Sequence, residues 1–95
     1  MYKICKVLTS KKFEKQLKAI PSYIKEAALI WVNTVEDLGI FEVRKLKGYH
    51  DEALRGNRLG QRSVRLNRSY RLFYSEDSSG SIHLITIDEV NKHDY

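Results

Sequence analysis

The chain has 95 residues, 42% of them hydrophobic, with one cysteine, one proline and a formal net charge of +5. That length makes a single domain, residues 1–95, with one modest core. The charged fraction of 31% carries both signs, which does not favour disorder. Cys5 stands alone, which excludes an intrachain disulfide and a cysteine-based zinc site and fits a reducing compartment. No stretch approaches the roughly 18 apolar residues of a membrane span. The opening MYKICK has no apolar core of a signal peptide, so a soluble, cytoplasmic protein is expected.

Taken in order, residues 2–8 are β-rich and read as a first strand. Thr9 or Ser10 can cap a helix whose apolar stripe is Phe13, Leu17 and Ile20. Pro21 interrupts that pattern and can open a second helix. There Ile24, Ala27 or Ala28, Trp31, Val35 and Leu38 keep helical spacing, and Gly39 is the stop. Residues 40–59 lose periodicity and read mostly as loop, with room for a short helical turn or strand. Residues 61–66 and 70–74 alternate as strands around Asn67-Arg68-Ser69. Residues 76–81 (EDSSGS) read as a polar turn, and 81–90 as a last strand. The expected class is α+β: an N-terminal strand, a two-helix hairpin, then three C-terminal antiparallel strands in one twisted sheet packed by the helices.

Charge is distributed unevenly. All seven arginines lie between Arg44 and Arg71, and residues 42–74 carry nine Lys/Arg against three Asp/Glu. Guanidinium is planar, permanently charged and able to fork two hydrogen bonds onto one phosphate. Its concentration in one segment reads as a nucleic-acid footprint, set against the plainer reading of a solvated basic face.

Strand alternation sharpens this. Val64 and Leu66 should face the helices, which sends Arg65 to the opposite, open face; Arg71 and Phe73 share a face, and it is the same one if Arg65 and Arg71 meet across the hairpin. Two guanidiniums meeting across a hairpin repel unless an anion joins them. The plainer alternative pairs each arginine with Glu76, Asp88 or Glu89.

The run GQRSVRLNRSYRLFY at 60–74 and the ending EVNKHDY resemble the RelE/ParE superfamily of bacterial type II toxins, most of all the RelE- and HigB-type mRNA interferases. The resemblance covers nearly the whole chain. It implies cleavage of mRNA in the ribosomal A site, by attack of a ribose 2′-OH on the adjacent phosphate, with no cofactor and no metal. It assigns catalysis to Arg65, Arg71, His93 and Tyr95. RNA contacts fall to Lys45, Lys47, Arg62, Arg68, Phe73 and Lys92. Ser63 stands where such members carry another cation. The implied partners are mRNA on the ribosome, with 16S rRNA contacts, and a cognate antitoxin, of helix-turn-helix type if the HigB likeness holds.

Two other classes compete: a ParE-like toxin that inhibits DNA gyrase without cutting RNA, against which the set Arg65, Arg71, His93 and Tyr95 argues, and a non-catalytic RNA- or ribosome-binding module. His50-Asp51-Glu52 invites a metal or acid–base reading, also with His83, Asp88, His93 and Asp94. No ligand spacing of known type supports a metal there, and the cluster reads as structural or solvated.

Overall fold

A computed structural model describes residues 4–92. The elements are β1 (Ile4–Thr9), α1 (Lys11–Gln16), α2 (Ser22–Leu38), α3 (Ile40–Val43), β2 (Glu52–Ala53), β3 (Gln61–Arg65), β4 (Tyr70–Ser79) and β5 (Ile82–Lys92), with short 3-10 turns at Lys47–Tyr49 and Gly56–Arg58. The sheet runs β1-β5-β4-β3-β2. The β1–β5 pairing is parallel and the others are antiparallel. The expected α+β class is the one observed, and the segment read mostly as loop holds the short helix α3 and the two-residue strand β2.

Local chemistry explains the helical boundaries. Ser10 caps α1 by accepting from Phe13 N–H at 3.0 Å. The helix is one and a half turns long because Pro21 disfavours helical geometry at Ile20, and residues 18 and 19 close as tighter turns onto Lys15 and Gln16. α2 buries Ile24, Ala28, Trp31 and Val35. Leu38 was expected to continue that stripe but is 56% exposed. Gly39, at φ 84° and ψ 152°, turns the chain in a way that only glycine adopts easily, and Ile40 and Val43 of α3 fill the place instead.

The helices cover one face of the sheet, meeting Val64, Leu72, Tyr74, Ile85, Ile87 and Val90. Residues 76–79, read as part of a turn, extend β4. Their backbone pairs with β5 as far as Ser79 and Ile82, and the reversal is only Gly80-Ser81, with Gly80 at φ 59°. Polar side chains disguise this strand because most of it lies beyond the core. A bulge between Phe73 and Tyr74 leaves Asp88 as an extra residue on β5. At the outer edge of β1, Val7 N–H donates to the Glu36 carboxylate at 3.1 Å. Among the described residues no helix is long and apolar enough to cross a membrane.

One polar chain lies within the helix-covered side. Tyr74 is fully buried, and its hydroxyl donates to Asp51 Oδ2 at 2.6 Å while accepting from Arg44 Nε at 3.1 Å. Asp51 also takes Arg62 Nε at 2.6 Å. Arg44 in turn pairs with Glu76, and Glu76 lies 2.9 Å from His83 Nε2. Burial pushes the Tyr74 hydroxyl well above its usual pKa, and its bond to Asp51 adds to this over the opposing pull of Arg44.

Trp31 is fully buried, with its ring centroid 5.3 Å from that of Tyr74. Trp31→Ala should cost about 3–5 kcal/mol, a large part of the stability of a small domain. Urea unfolding followed by circular dichroism will show the midpoint falling with little change in slope.

Candidate functional site

The β3–β4 hairpin closes on a local hydrogen-bond pattern. Asn67 Oδ1 accepts from the N–H groups of Ser69 and Tyr70, each at 2.8 Å, and Leu66 N–H bonds Tyr70 O at 3.0 Å. This turn sets the register that makes Arg65 and Arg71 direct partners, Ser63 the partner of Phe73, and Val64 that of Leu72. With Val64 and Leu72 against the helices, both arginines fall on the other face, as the alternation predicts. Asn91 of β5 stands opposite Arg71.

The two guanidiniums differ in their partners. Arg71 is 14% exposed, donates to Ser63 Oγ at 3.4 Å and lies 3.6 Å from Glu52 Oε1. Arg65 makes no hydrogen bond or ion pair among the described residues, and its Nε is a buried donor without a partner. Glu52, on the two-residue strand β2, is 53% exposed and pairs in register with Ser63. The face thus presents two cations on neighbouring strands and one accessible carboxylate beside them. Such a set can hold a phosphate between the guanidiniums and receive a proton at the carboxylate.

The remaining basic residues sort into two groups. Arg44 and Arg62 belong to the polar chain on the helix side, so the expected RNA contact at Arg62 gives way to an ion pair with Asp51. The cause is parity: Arg62 pairs with Tyr74 and shares its face. Arg58 pairs with Glu89 and stacks over Phe73 at 4.3 Å from the ring centroid. Phe73 is therefore on the expected face, with the Arg58 guanidinium lying over its ring. Arg55 and Arg68 are exposed, Arg68 in the hairpin loop. Lys47 opens a 3-10 turn, Lys45 pairs with Glu42 at 3.1 Å, and Lys92 pairs with Tyr70, on the helix side of the sheet. His93 and Tyr95 lie outside the described residues.

Glu52 is the member of the site that sequence reading passed over. His50-Asp51-Glu52 reads as one polar cluster, yet its acids separate: Asp51 turns inward, and Glu52 outward to Arg71. Only the alternation of successive residues hinted at this, over a strand too short to show a pattern.

No family model matches the sequence, and no curated protein does. Solved structures do match in fold. The archaeal RelE–RelB complex from Pyrococcus horikoshii contains a chain 21% identical to this one at a TM-score of 0.69, covering 94% of each. The RelBE2 toxin–antitoxin complex of Mycobacterium tuberculosis gives 20% identity and a TM-score of 0.68, over 95% of this chain and 99% of that one. The YoeB–YefM complex from Staphylococcus aureus gives 19% and 0.67, over 95% and 98%. The fold is RelE-like.

Elsewhere on the sheet, charge is neutralised in pairs that respond to pH. Burial alone would raise the Glu89 carboxyl, but hydrogen bonds from Lys12 and Arg58 outweigh it and hold the group below its ordinary value. His83 is held below its ordinary value by burial and by the Arg44 charge. A carboxyl whose folded pKa is depressed stabilises the fold above its unfolded value and loses that contribution as pH falls through the folded one. Glu89→Gln should therefore lower stability at neutral pH and flatten the decline that the parent shows below its ordinary value of 4.5. Urea midpoints measured from pH 7 down to about 3 will show the two curves converging.

Proposed function

We propose that this chain is the toxin of a type II toxin–antitoxin pair and cuts mRNA held in the ribosomal A site. The observation that carries this reading is the facing pair Arg65 and Arg71, one with a buried donor that has no partner among the described residues and the other beside an accessible carboxylate. Two like charges held opposite one another destabilise a sheet until an anion joins them. A phosphodiester is an anion of the right size and geometry for two guanidinium forks. The RelE-like fold supports the same reading, because the similar chains come from structures of toxin–antitoxin complexes.

The chemistry follows from those groups. Arg65 and Arg71 grip the non-bridging oxygens of the scissile phosphate and stabilise the charge that grows there in the transition state. Glu52 accepts the proton of the ribose 2′-OH as that oxygen attacks phosphorus. The bond to the 5′-oxygen of the next nucleotide breaks, leaving a 2′,3′-cyclic phosphate. The departing oxygen takes a proton from His93 or Tyr95, the C-terminal residues that the family resemblance assigns to this step. The 2′-OH nucleophile restricts the substrate to RNA. Exposed Arg55, Arg68 and Lys47 supply sequence-independent attraction to ribosomal RNA, and a cognate antitoxin holds the activity in check.

Primer extension on a defined mRNA, with and without programmed ribosomes, tests the whole reading. Cuts inside A-site codons are expected only with ribosomes present. Arg71→Ala and Arg65→Ala should each slow them by about 100- to 1,000-fold, and Glu52→Gln and His93→Ala should also reduce them. Cuts on naked RNA would remove the ribosome from the mechanism. Absence of cutting together with inhibition of DNA gyrase would replace it by the ParE-like alternative.

A further inference from the structure

The polar chain on the helix side and the arginine pair on the open side meet at one short strand. β2 has two residues and makes two register pairs with β3, Glu52 with Ser63 and Ala53 with Arg62. A two-residue edge strand has little hold of its own on the direction of its side chains. Asp51, the residue before it, is held firmly. Its carboxylate is 1% exposed, with Arg62 Nε and the Tyr74 hydroxyl each 2.6 Å away on separate oxygens. Arg62 and Tyr74 are themselves cross-strand partners, so both ends of the clamp stand on the central ladder. Successive residues of an extended chain point to opposite faces. Pinning Asp51 inward therefore points Glu52 outward, where its carboxylate meets Arg71.

We infer that Asp51 and Tyr74 are positioning residues for Glu52, a clamp acting through the thickness of the sheet. The Tyr74 hydroxyl is the part of the clamp that the hydrophobic core does not otherwise need. Its ring packs against Trp31, and the hydroxyl alone reaches Asp51. Arg44 donates to that hydroxyl from behind and is paired to Glu76, which orients the phenol proton toward Asp51. The placement of Glu52 stands on the geometry, and its consequence for cleavage rests on the reading proposed above.

Tyr74→Phe keeps the ring and removes the hydroxyl, and Asp51→Asn keeps the shape and removes the charge. Each should lower the single-turnover cleavage rate on programmed ribosomes by about 10- to 100-fold, the scale of a misplaced reacting group. Affinity for ribosomes whose A-site codon carries a 2′-deoxy, uncleavable nucleotide should stay within about twofold. In a Glu52→Gln background either substitution should cause no further loss of rate, because the group it positions is already disabled. Full additivity with Glu52→Gln, or a loss of affinity equal to the loss of rate, overturns the clamp. Two variants guard against a failure of one to fold.

A parent protein that cuts no RNA defeats the cleavage reading and leaves the clamp to be judged by inorganic phosphate binding to the arginine pair. Glu52→Gln should tighten phosphate binding by removing the competing carboxylate, and Tyr74→Phe should reproduce that gain. Tighter binding in Glu52→Gln with none in Tyr74→Phe overturns the proposal.

Discussion

The hydrogen bond between Tyr74 and Asp51 joins the two halves of this molecule. A tyrosine hydroxyl and a carboxylate are both costly to bury alone, and each relieves the other. Asp51 comes from the irregular stretch after α3, and Tyr74 from the middle of the sheet. Their contact, with Arg44 and Arg62 around it, ties that stretch to β3 and β4 by specific bonds, beside the packing of Tyr49 on the core and the β2–β3 ladder. The Trp31 and Tyr74 rings pack beneath it, so core and polar network share one residue. Removing one partner of such a network costs more than its net contribution, because the others remain buried without it.

This arrangement separates the arginines that have a close carboxylate from the two of the β3–β4 ladder that do not. Arg44, Arg58 and Arg62 have carboxylate partners close at hand: Glu76, Glu89 and Asp51. Arg65 has none among the described residues, and Arg71 has only the more distant Glu52. The net positive charge of the segment is thus a poor measure of its free charge. Strand parity puts the two arginines without a close carboxylate on one face, and the hairpin register makes them stand together.

Much of this was legible in the residue order. Pro21 and Gly39 bracket α2, and the stripe Ile24–Ala28–Trp31–Val35 names its buried face. The alternation of Val64, Leu66 and Leu72 with Arg65 and Arg71 placed both arginines on the open side. Long-range pairing was not legible. Nothing local indicates that Arg44 meets Glu76 across 32 positions, or that Arg62 takes Asp51 rather than solvent. A short strand was conceivable in the segment after Gly39, but β2 could not be placed because two residues carry no period. Residues 76–79 misled because their side chains are those of a turn, while backbone pairing with β5 makes them strand. Glu52 was missed because it lies on β2 and follows Asp51, whose partners Arg62 and Tyr74 come from elsewhere in the chain.

The edges of the sheet carry a consequence for how the molecule keeps to itself. A free edge invites any passing strand to extend the sheet. At one end β2 is too short to template a neighbour. At the other, Glu36 already occupies the Val7 N–H. A strand arriving at β1 must displace a carboxylate, which repels acidic newcomers and leaves a charge to be neutralised by whatever takes its place. Self-stacking of this chain at β1 is discouraged by the same device, and a partner that does add a strand there needs a cation positioned to meet Glu36.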